Sequence, residues 1–323
     1  MLSSETDKFA HMVRNCDVRG LARVLSMVEN GHTLAPSIMH SLYNPERSSL
    51  TVGITGPPGA GKSTLTNRLI TFWRAHDNKV GVIAVDPSSP FSGGALLGDR
   101  VRMQDHASDP LVFIRSMGSR GHLGGLSGAT RDALEVLAAA SYDPVLVETV
   151  GVGQAEVEIA SLADITLLVL VPGLGDEVQT MKAGIMEIAD IIVLNKADRP
   201  EIEQLEMSVN ASLELLPDQA ERPPVVRCSA RTGEGIELLT ETITSYISSL
   251  TERKEIVQRR TSLILGSIIR EKGRNIARKL VSDRYGSVEE AVESILKGET
   301  TPYGIGEMLS EFIDNKRESE NEY

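Results

Sequence analysis

The sequence predicts an α/β protein built on a doubly wound, mostly parallel sheet, with helical extensions before and after it. Three observations carry that expectation. Between Ser49 and about Leu250, short apolar runs alternate with amphipathic segments of helical period. Most of the runs are continuously apolar, as strands buried on both faces of a parallel sheet are. The first run, Leu50–Ile54, leads directly into a glycine-rich turn and then a helical pattern, and doubly wound sheets present ligands at just such strand ends.

Taken in order, residues 1–48 read as an N-terminal helical extension. Val18, Leu21, Val24, Leu25 and Val28 share one helical face, and Asn30-Gly31 stops that helix. A second short helix is expected through Ser37–Leu42, before Asn44-Pro45 breaks it. This extension carries no recognisable chemistry. Residues 49–250 are expected to form the α/β domain, with strands at 50–55, 80–85, 111–114, 145–148, 165–171, 191–195 and 225–228. Helices fall between them, among them 131–140 and 179–188. Residues 251–323 form a C-terminal helical arm. A charged helix is expected from Thr251 to about Leu280, with apolar residues at 256, 257, 263, 264, 265, 268, 269 and 276. A second covers Val288–Leu296; Gly304-Ile305-Gly306 is expected to interrupt, and a last helix runs into an acidic tail. An apolar stripe outside the sheet must be covered by its own domain or by a partner, so a symmetric homodimer through this arm is expected.

Composition bounds the function. In 323 residues, 41% hydrophobic and 24% charged, there is enough apolar material for a full core. A net charge of −12 argues against a broad nucleic-acid footprint and gives no support for a polybasic membrane anchor. The longest apolar run, Ile165–Val171, is strand-sized, so no membrane partner is expected. Met1–Lys8 has neither the apolar core of a signal peptide nor the acid-poor character of a transit peptide. Cys16 and Cys228 make no disulfide framework. A cytoplasmic protein is the expectation. The histidines, at 11, 32, 40, 76, 106 and 122, lack metal-site spacing.

The chemistry begins at the turn after the first strand. Gly56, Gly59, Ala60, Gly61, Lys62 and Ser63, followed by Thr64, belong to a G-x-x-x-x-G-K-S stretch set between strand and helix, the context that makes it a phosphate-binding P-loop. The glycines let successive N–H groups turn inward toward phosphate oxygens, and the following helix adds its positive end. Lys62 would reach the β- and γ-phosphates, and the Ser63 hydroxyl would ligate Mg²⁺.

Asn195-Lys196-Ala197-Asp198 closes a later strand. Guanine presents N1–H and a 2-amino group side by side, so the Asp198 carboxylate can accept from both, whereas adenine leaves it unpaired at a cost. Asn195 would brace the loops and the Lys196 stem would pack along the base. Ser229-Ala230-Arg231 follows the next strand and would offer backbone N–H groups to the guanine O6. In this order the motifs make a guanine-nucleotide site, for GTP or GDP.

Glu148 closes the strand Val145–Glu148, where such a protein holds Mg²⁺, usually through water. Val152 follows Gly151 where small GTPases carry a water-positioning glutamine, and Gln154 stands two places further on. Asp86 and Asp99 flank or follow a loop rich in Gly, Ser and Pro, the composition of a switch ordered by γ-phosphate and metal. For either aspartate alone, capping is as good an account as metal binding. A further glycine-rich loop at 173–175 opens toward a helix.

The segments AVDPSSPFSGGALLGDRVRM, SRGHLGGL, ETVGVGQAEVE, VPGLGDEVQTMKAGIMEIADIIVLNKADRP and SARTGEGI resemble those of the MeaB/ArgK GTPases. The resemblance runs from about residue 18 to about residue 300. It implies a P-loop G domain of the signal-recognition and metallochaperone branch. It also implies an assembly GTPase that partners an adenosylcobalamin-dependent acyl-CoA mutase, gating the loading of its cofactor and the removal of damaged cofactor. Matched by motif, Asp86, Asp99 and Glu148 would form the Mg²⁺ and catalytic carboxylate set, beside Lys62 and Ser63. The loop from Gly173 to Lys182 would be an extra switch facing the client, with Lys182 on it. The C-terminal helices would form the homodimer arm. Ala155 stands where the family carries serine, outside the site. Two other classes share the pattern: a kinase acting on transport proteins, and a metallochaperone GTPase, which the absence of clustered His or Cys disfavours.

Overall fold

The computed structural model of the chain describes residues 2–44, 49–86, 104–106, 108–118, 128–149, 159–173, 185–214, 222–249, 253–301 and 304–309. Among these, seven strands form one sheet in the order β3-β2-β4-β1-β5-β6-β7, every pair parallel. They are β1 Thr51–Thr55, β2 Val80–Asp86, β3 Val112–Gly118, β4 Val145–Thr149, β5 Ile165–Leu170, β6 Ile191–Leu194 and β7 Val225–Arg227. All seven lie where apolar runs predict strands.

Strands β2 and β4 run one residue past their predicted ends, and β3 runs four past its own. The pairing of β2 with β3 runs on from Val82↔Ile114 to Asp86↔Gly118. Backbone bonding therefore carries β3 through Arg115 and Ser116, residues that hydropathy does not read as strand. Arg115 is tied down at that edge, donating from one terminal guanidinium nitrogen to Glu29 Oε2 at 2.6 Å and Ser26 Oγ at 3.1 Å. At the opposite edge β7 stops at Arg227, one residue before Cys228.

The helices are α1 Leu2–Arg14, α2 Val18–Glu29, α3 Ala35–Leu42, α4 Lys62–Ala75, α5 Gly128–Ala139, α6 Ile202–Glu214, α7 Ile236–Ser249, α8 Arg253–Tyr285 and α9 Val288–Leu296. Asp17 caps α2, its carboxylate accepting from the N–H groups of Arg19 and Gly20. The apolar face read from the sequence there, Leu21, Val24, Leu25 and Val28, is buried.

Residue alternation sorts the layers. Val145 and Val147 of β4 join a core with α1, α2, α3 and α5, whereas Leu146 joins another with α4 and α7. Leu168 and Leu170 of β5 pack with α6 in a third. The sheet is thus covered on both faces, as its continuous apolar strands require. Of the predicted helix at 179–188, Ile185–Ile188 form a 3₁₀ turn; 179–184 lie outside the described residues.

Two compact units divide the chain, Met1–Leu263 and Ile264–Tyr323. The second holds exposed apolar side chains: Leu265, Ile268, Ile269 and Ile276 on α8, and Val288, Val292 and Leu296 on α9. The predicted interruption at Gly304-Ile305-Gly306 is corrected by the structure, where 304–309 are helical. Thr301 starts that turn: its hydroxyl accepts from the Gly304 N–H at 3.0 Å and its carbonyl from the Ile305 N–H at 3.1 Å. A cap of that kind contributes about 1 kcal/mol, enough to offset the ~1 kcal/mol cost of one of the two glycines, Gly304 and Gly306, in the turn. The rest of the predicted last helix, 310–323, lies outside the described residues. No helix among the described residues is long and apolar enough to cross a membrane.

Candidate nucleotide site

The P-loop runs from the carboxyl end of β1 to the start of α4. Gly56 has φ +140°, and a Cβ there would sit 2.2 Å from the Val169 carbonyl oxygen. Gly61 has φ +86°, and its Cβ would meet Asn195 Nδ2 at 2.6 Å. Both positions therefore exclude side chains by backbone angle and by space. Lys62 is 5% exposed. Its Nζ donates to the Gly56 oxygen at 2.7 Å and the Pro57 oxygen at 3.1 Å, folding the ammonium back over the loop that would cradle phosphate. Loop carbonyls are weaker acceptors for an ammonium than phosphate oxygens, so an incoming anion can take their place.

Glu148, at the end of β4, is 3% exposed. Ser63 donates its hydroxyl to Glu148 Oε1 at 2.6 Å, and Thr66 donates to Oε2 at 2.9 Å. Ser63 and Thr66 are one helical turn apart on α4, so the helix faces the carboxylate with two hydroxyls. A buried carboxylate beside a serine at the helix start is a hard oxygen donor set, which suits Mg²⁺. Thr64, by contrast, is exposed and lines the pocket described next.

The base end is built on Asn195, which is 1% exposed. Its Nδ2 donates to the Ala60 oxygen at 2.8 Å, while its Oδ1 accepts from the N–H groups of Lys196 at 2.8 Å and Ala230 at 3.0 Å. One side chain thus fastens the P-loop, the end of β6 and the loop after β7. Lys196 adopts φ +61°, the left-handed region that a non-glycine residue rarely takes. Its Nζ reaches the Gly59 oxygen at 2.8 Å. Burial, and then repulsion from Arg199, push its ammonium below the usual lysine range.

Asp198 accepts from Ser229 Oγ at 2.6 Å and from a terminal guanidinium nitrogen of Arg231 at 2.7 Å. The Ser229 hydroxyl, and secondarily Arg231, hold its carboxyl below the usual carboxylate range. Gly61, Thr64, Asn195, Lys196, Asp198, Arg199, Ala230 and Arg231 enclose a cavity of about 240 Å³. The Ser229 and Ala230 N–H groups, expected to face a base, are engaged within the chain, with the Glu234 oxygen at 2.9 Å and Asn195 Oδ1 at 3.0 Å. Beneath this loop Cys228 is fully buried, and burial pushes its thiol up to about 12.

P-loop, carboxylate strand end and base pocket therefore lie together along the carboxyl ends of β1, β4 and β6 and the loop after β7. A family model described as methylmalonyl Co-A mutase-associated GTPase MeaB matches residues 21–283 of this sequence. The chain belongs to the MeaB family. It is 43% identical over 314 residues to a Pyrococcus horikoshii chain, covering 95% of this chain and 98% of that one. To the GTPase ArgK of Escherichia coli it is 34% identical over 309 residues, 92% of this chain and 93% of that one. To the mitochondrial methylmalonic aciduria type A homolog of Mus musculus it is 35% identical over 282 residues, 80% and 68% of the two chains. The crystal structure of a LAO/AO transport system kinase superposes with a TM-score of 0.73 at 27% identity, covering 96% of this chain and 98% of that one. Membership of a GTPase family implies binding of a guanine nucleotide.

Several residues expected to act in this MeaB-family site cannot be followed. Asp86 ends β2 opposite Gly118, but its side chain, with all of Asp99, Gly151–Gln154 and Lys182, lies outside the described residues. Conversely, two contributors were not read from the sequence. Thr66 could have been found from its spacing, three residues after Ser63 on the same helix face. Arg68, which reaches the loop after β7, had no signal, because its partners are backbone carbonyls distant in sequence.

Proposed function

We propose that this MeaB-family chain hydrolyses GTP to GDP and phosphate with Mg²⁺, and that the cycle gates loading, protection or reactivation of an adenosylcobalamin-dependent acyl-CoA mutase, methylmalonyl-CoA mutase first. The observation that carries the nucleotide reading is the Asp198 carboxylate at the pocket beside a complete P-loop. Its oxygens, now bonded to Ser229 and Arg231, would accept the guanine N1–H and 2-amino donors. Lys62 would exchange the Gly56 and Pro57 carbonyls for β- and γ-phosphate oxygens. Ser63 and Glu148, joined by Asp86 and Asp99, would hold Mg²⁺, which when bound offsets negative charge on the phosphates. The client reading is supported by the description of the matching family as mutase-associated.

With Val152 in place of a water-positioning glutamine and glycine-rich loops at 93–98, 151–153 and 173–175, the isolated protein would rarely order a competent arrangement. A client that binds the ordered state better would raise turnover, with Gln179 and Lys182 transmitting the contact. The division into 1–48, 49–250 and 251–323 belongs to this reading, the last segment pairing two copies. The exposed apolar residues of α8 and α9 support that role.

The test is steady-state phosphate release with and without a purified adenosylcobalamin-dependent mutase. A low basal rate raised ten-fold or more (~1.4 kcal/mol) is expected. A fast rate that the mutase leaves alone overturns the gating role. The solved relative named as a transport system kinase favours a second reading, in which phosphate appears on a protein side chain rather than in water.

A further inference from the structure

We propose that Arg68 on α4 is a positioning residue for base specificity, holding the peptide between Ala230 and Arg231 so that the Arg231 N–H serves the 6-oxo edge of guanine. The proposal rests on the guanine reading of the pocket and assigns it a residue outside every nucleotide motif. Arg68 Nε donates to the Ala230 oxygen at 2.8 Å, and a terminal nitrogen of the same guanidinium donates to the Arg231 oxygen at 2.6 Å. One planar fork thus fixes two consecutive carbonyls, a geometry that lysine cannot reproduce.

The consequence follows from peptide geometry. In a trans peptide the C=O and N–H point in opposite directions. Anchoring the Ala230 carbonyl on α4 therefore turns the Arg231 N–H away from that anchor, and Arg231 lines the pocket. Its neighbours have other commitments. The N–H groups of Ser229, Ala230, Thr232, Gly233 and Glu234 bond to Glu234 O, Asn195 Oδ1, Ser229 Oγ, Ser229 O and Thr232 Oγ1 respectively. Among the hydrogen bonds of the described residues, the Arg231 N–H is the one in 229–234 with no acceptor inside the chain. Arg68 also stands on the helix that begins with Lys62 and Ser63, so one rigid element both meets the phosphates and aims the donor at the base.

The test compares the full chain with Arg68→Ala and Arg68→Lys by calorimetry. The probes are GDP and the diphosphate of 2-aminopurine riboside, which keeps the 2-amino group but has no 6-oxo group. Arg68→Ala is expected to weaken GDP about ten-fold, the value of one hydrogen bond, while the 2-aminopurine nucleotide changes less than about two-fold. Arg68→Lys, which keeps the charge and one donor, should recover part of the GDP loss and serves if the alanine variant does not fold. Equal losses for both nucleotides would make Arg68 a general support of the fold and overturn the proposal, as would unchanged GDP affinity in both variants. A wild-type chain with no preference for GDP over the 2-aminopurine nucleotide overturns the guanine reading itself, and this proposal with it.

Discussion

The two ends of the proposed nucleotide site are held in different ways. At the phosphate end, the groups that would meet the ligand already satisfy one another: Lys62 lies on loop carbonyls, and Ser63 and Thr66 lie on Glu148. Ligand binding there has to replace internal bonds. At the base end the frame is fixed by bonds that a base would leave intact. Asn195 ties three loops together, and Arg68 fastens the 230–231 carbonyls. Only Asp198 has partners to share. On the proposed reading, the phosphate end would select for charge by exchange and the base end for shape by prior order.

The largest expected effect breaks the phosphate end alone. Lys62→Ala removes a buried ammonium and should lower GTP turnover on the order of 1,000-fold, as loss of a charge-stabilising donor does. If the two ends are independent, the ratio of GDP to ADP affinity stays unchanged in that variant. A collapse of the ratio, measured by calorimetry, would mean that Lys62 also supports the base pocket.

Asp198→Asn should break the other end. GTP affinity is expected to fall about 100-fold, the value of hydrogen bonds to a charged acceptor. Preference should move toward xanthosine nucleotides, whose 2-oxo group takes a donor. The Mg²⁺ dependence should stay as in wild type. Unchanged GTP affinity would remove Asp198 from base recognition.

A smaller effect sharpens the metal reading. Thr66→Val removes one hydroxyl from Glu148 and should change the apparent Mg²⁺ requirement of turnover about ten-fold, the low end for one hydrogen bond to a charged acceptor. Thr66→Ser should restore it. Ser63→Ala should have the larger effect, since Ser63 is the proposed ligand. Identical Mg²⁺ titrations for wild type and all three variants would sink the coordination scheme.

The difference between the two ends also explains what the sequence made legible. The seven strands were readable because a sheet buried on both faces writes itself as apolar runs, and β3 was read short only where Arg115 and Ser116 enter it. Lys62, Ser63, Asn195 and Asp198 were readable because a P-loop and an N-K-x-D turn need those residue types at fixed spacing. What the sequence could not show is contact between distant segments. Arg68 binds carbonyls some 160 residues away, and any residue has a carbonyl, so no pattern marks the partner. The α1–α3 extension looked chemically blank and is part of the core beside β4, which periodicity alone cannot tell from a free helical hairpin. The helical turn at 304–309 was missed because two glycines outweighed the cap that Thr301 supplies.

The smallest expected effect tests whether the base end is ordered before the base arrives. The Asp198 carboxyl lies below its ordinary 3.8, chiefly through the Ser229 hydroxyl, then through its own backbone N–H and Arg231, with burial opposing them. The sign follows from linkage. A depressed carboxyl adds stability that is present above its unfolded value of about 3.9 and is lost as pH falls through the folded value. Between pH 7 and pH 5 Asp198 is therefore ionised, and preference for GDP over ADP should be flat across that range (at the lower limit, about one unit above its ordinary value, even an unshifted carboxyl is over 90% charged). Ser229→Ala removes the largest cause, so the carboxyl should move up toward its ordinary value, and titration should begin at higher pH than in wild type. A ¹³C NMR titration of the Asp198 carboxyl in the nucleotide-free chain reads this directly. Asp109 supplies an internal control. Its carboxyl is lowered by Arg74 at 2.8 Å, far in sequence from Ser229, and should titrate identically in both proteins. If Asp198 keeps its wild-type midpoint without the Ser229 hydroxyl, then its own backbone N–H and Arg231 hold it. Arg231 is 78% exposed, so the carboxylate would then owe nothing to the loop after β7 beyond a surface charge, and the base end would be no more ordered in advance than the phosphate end.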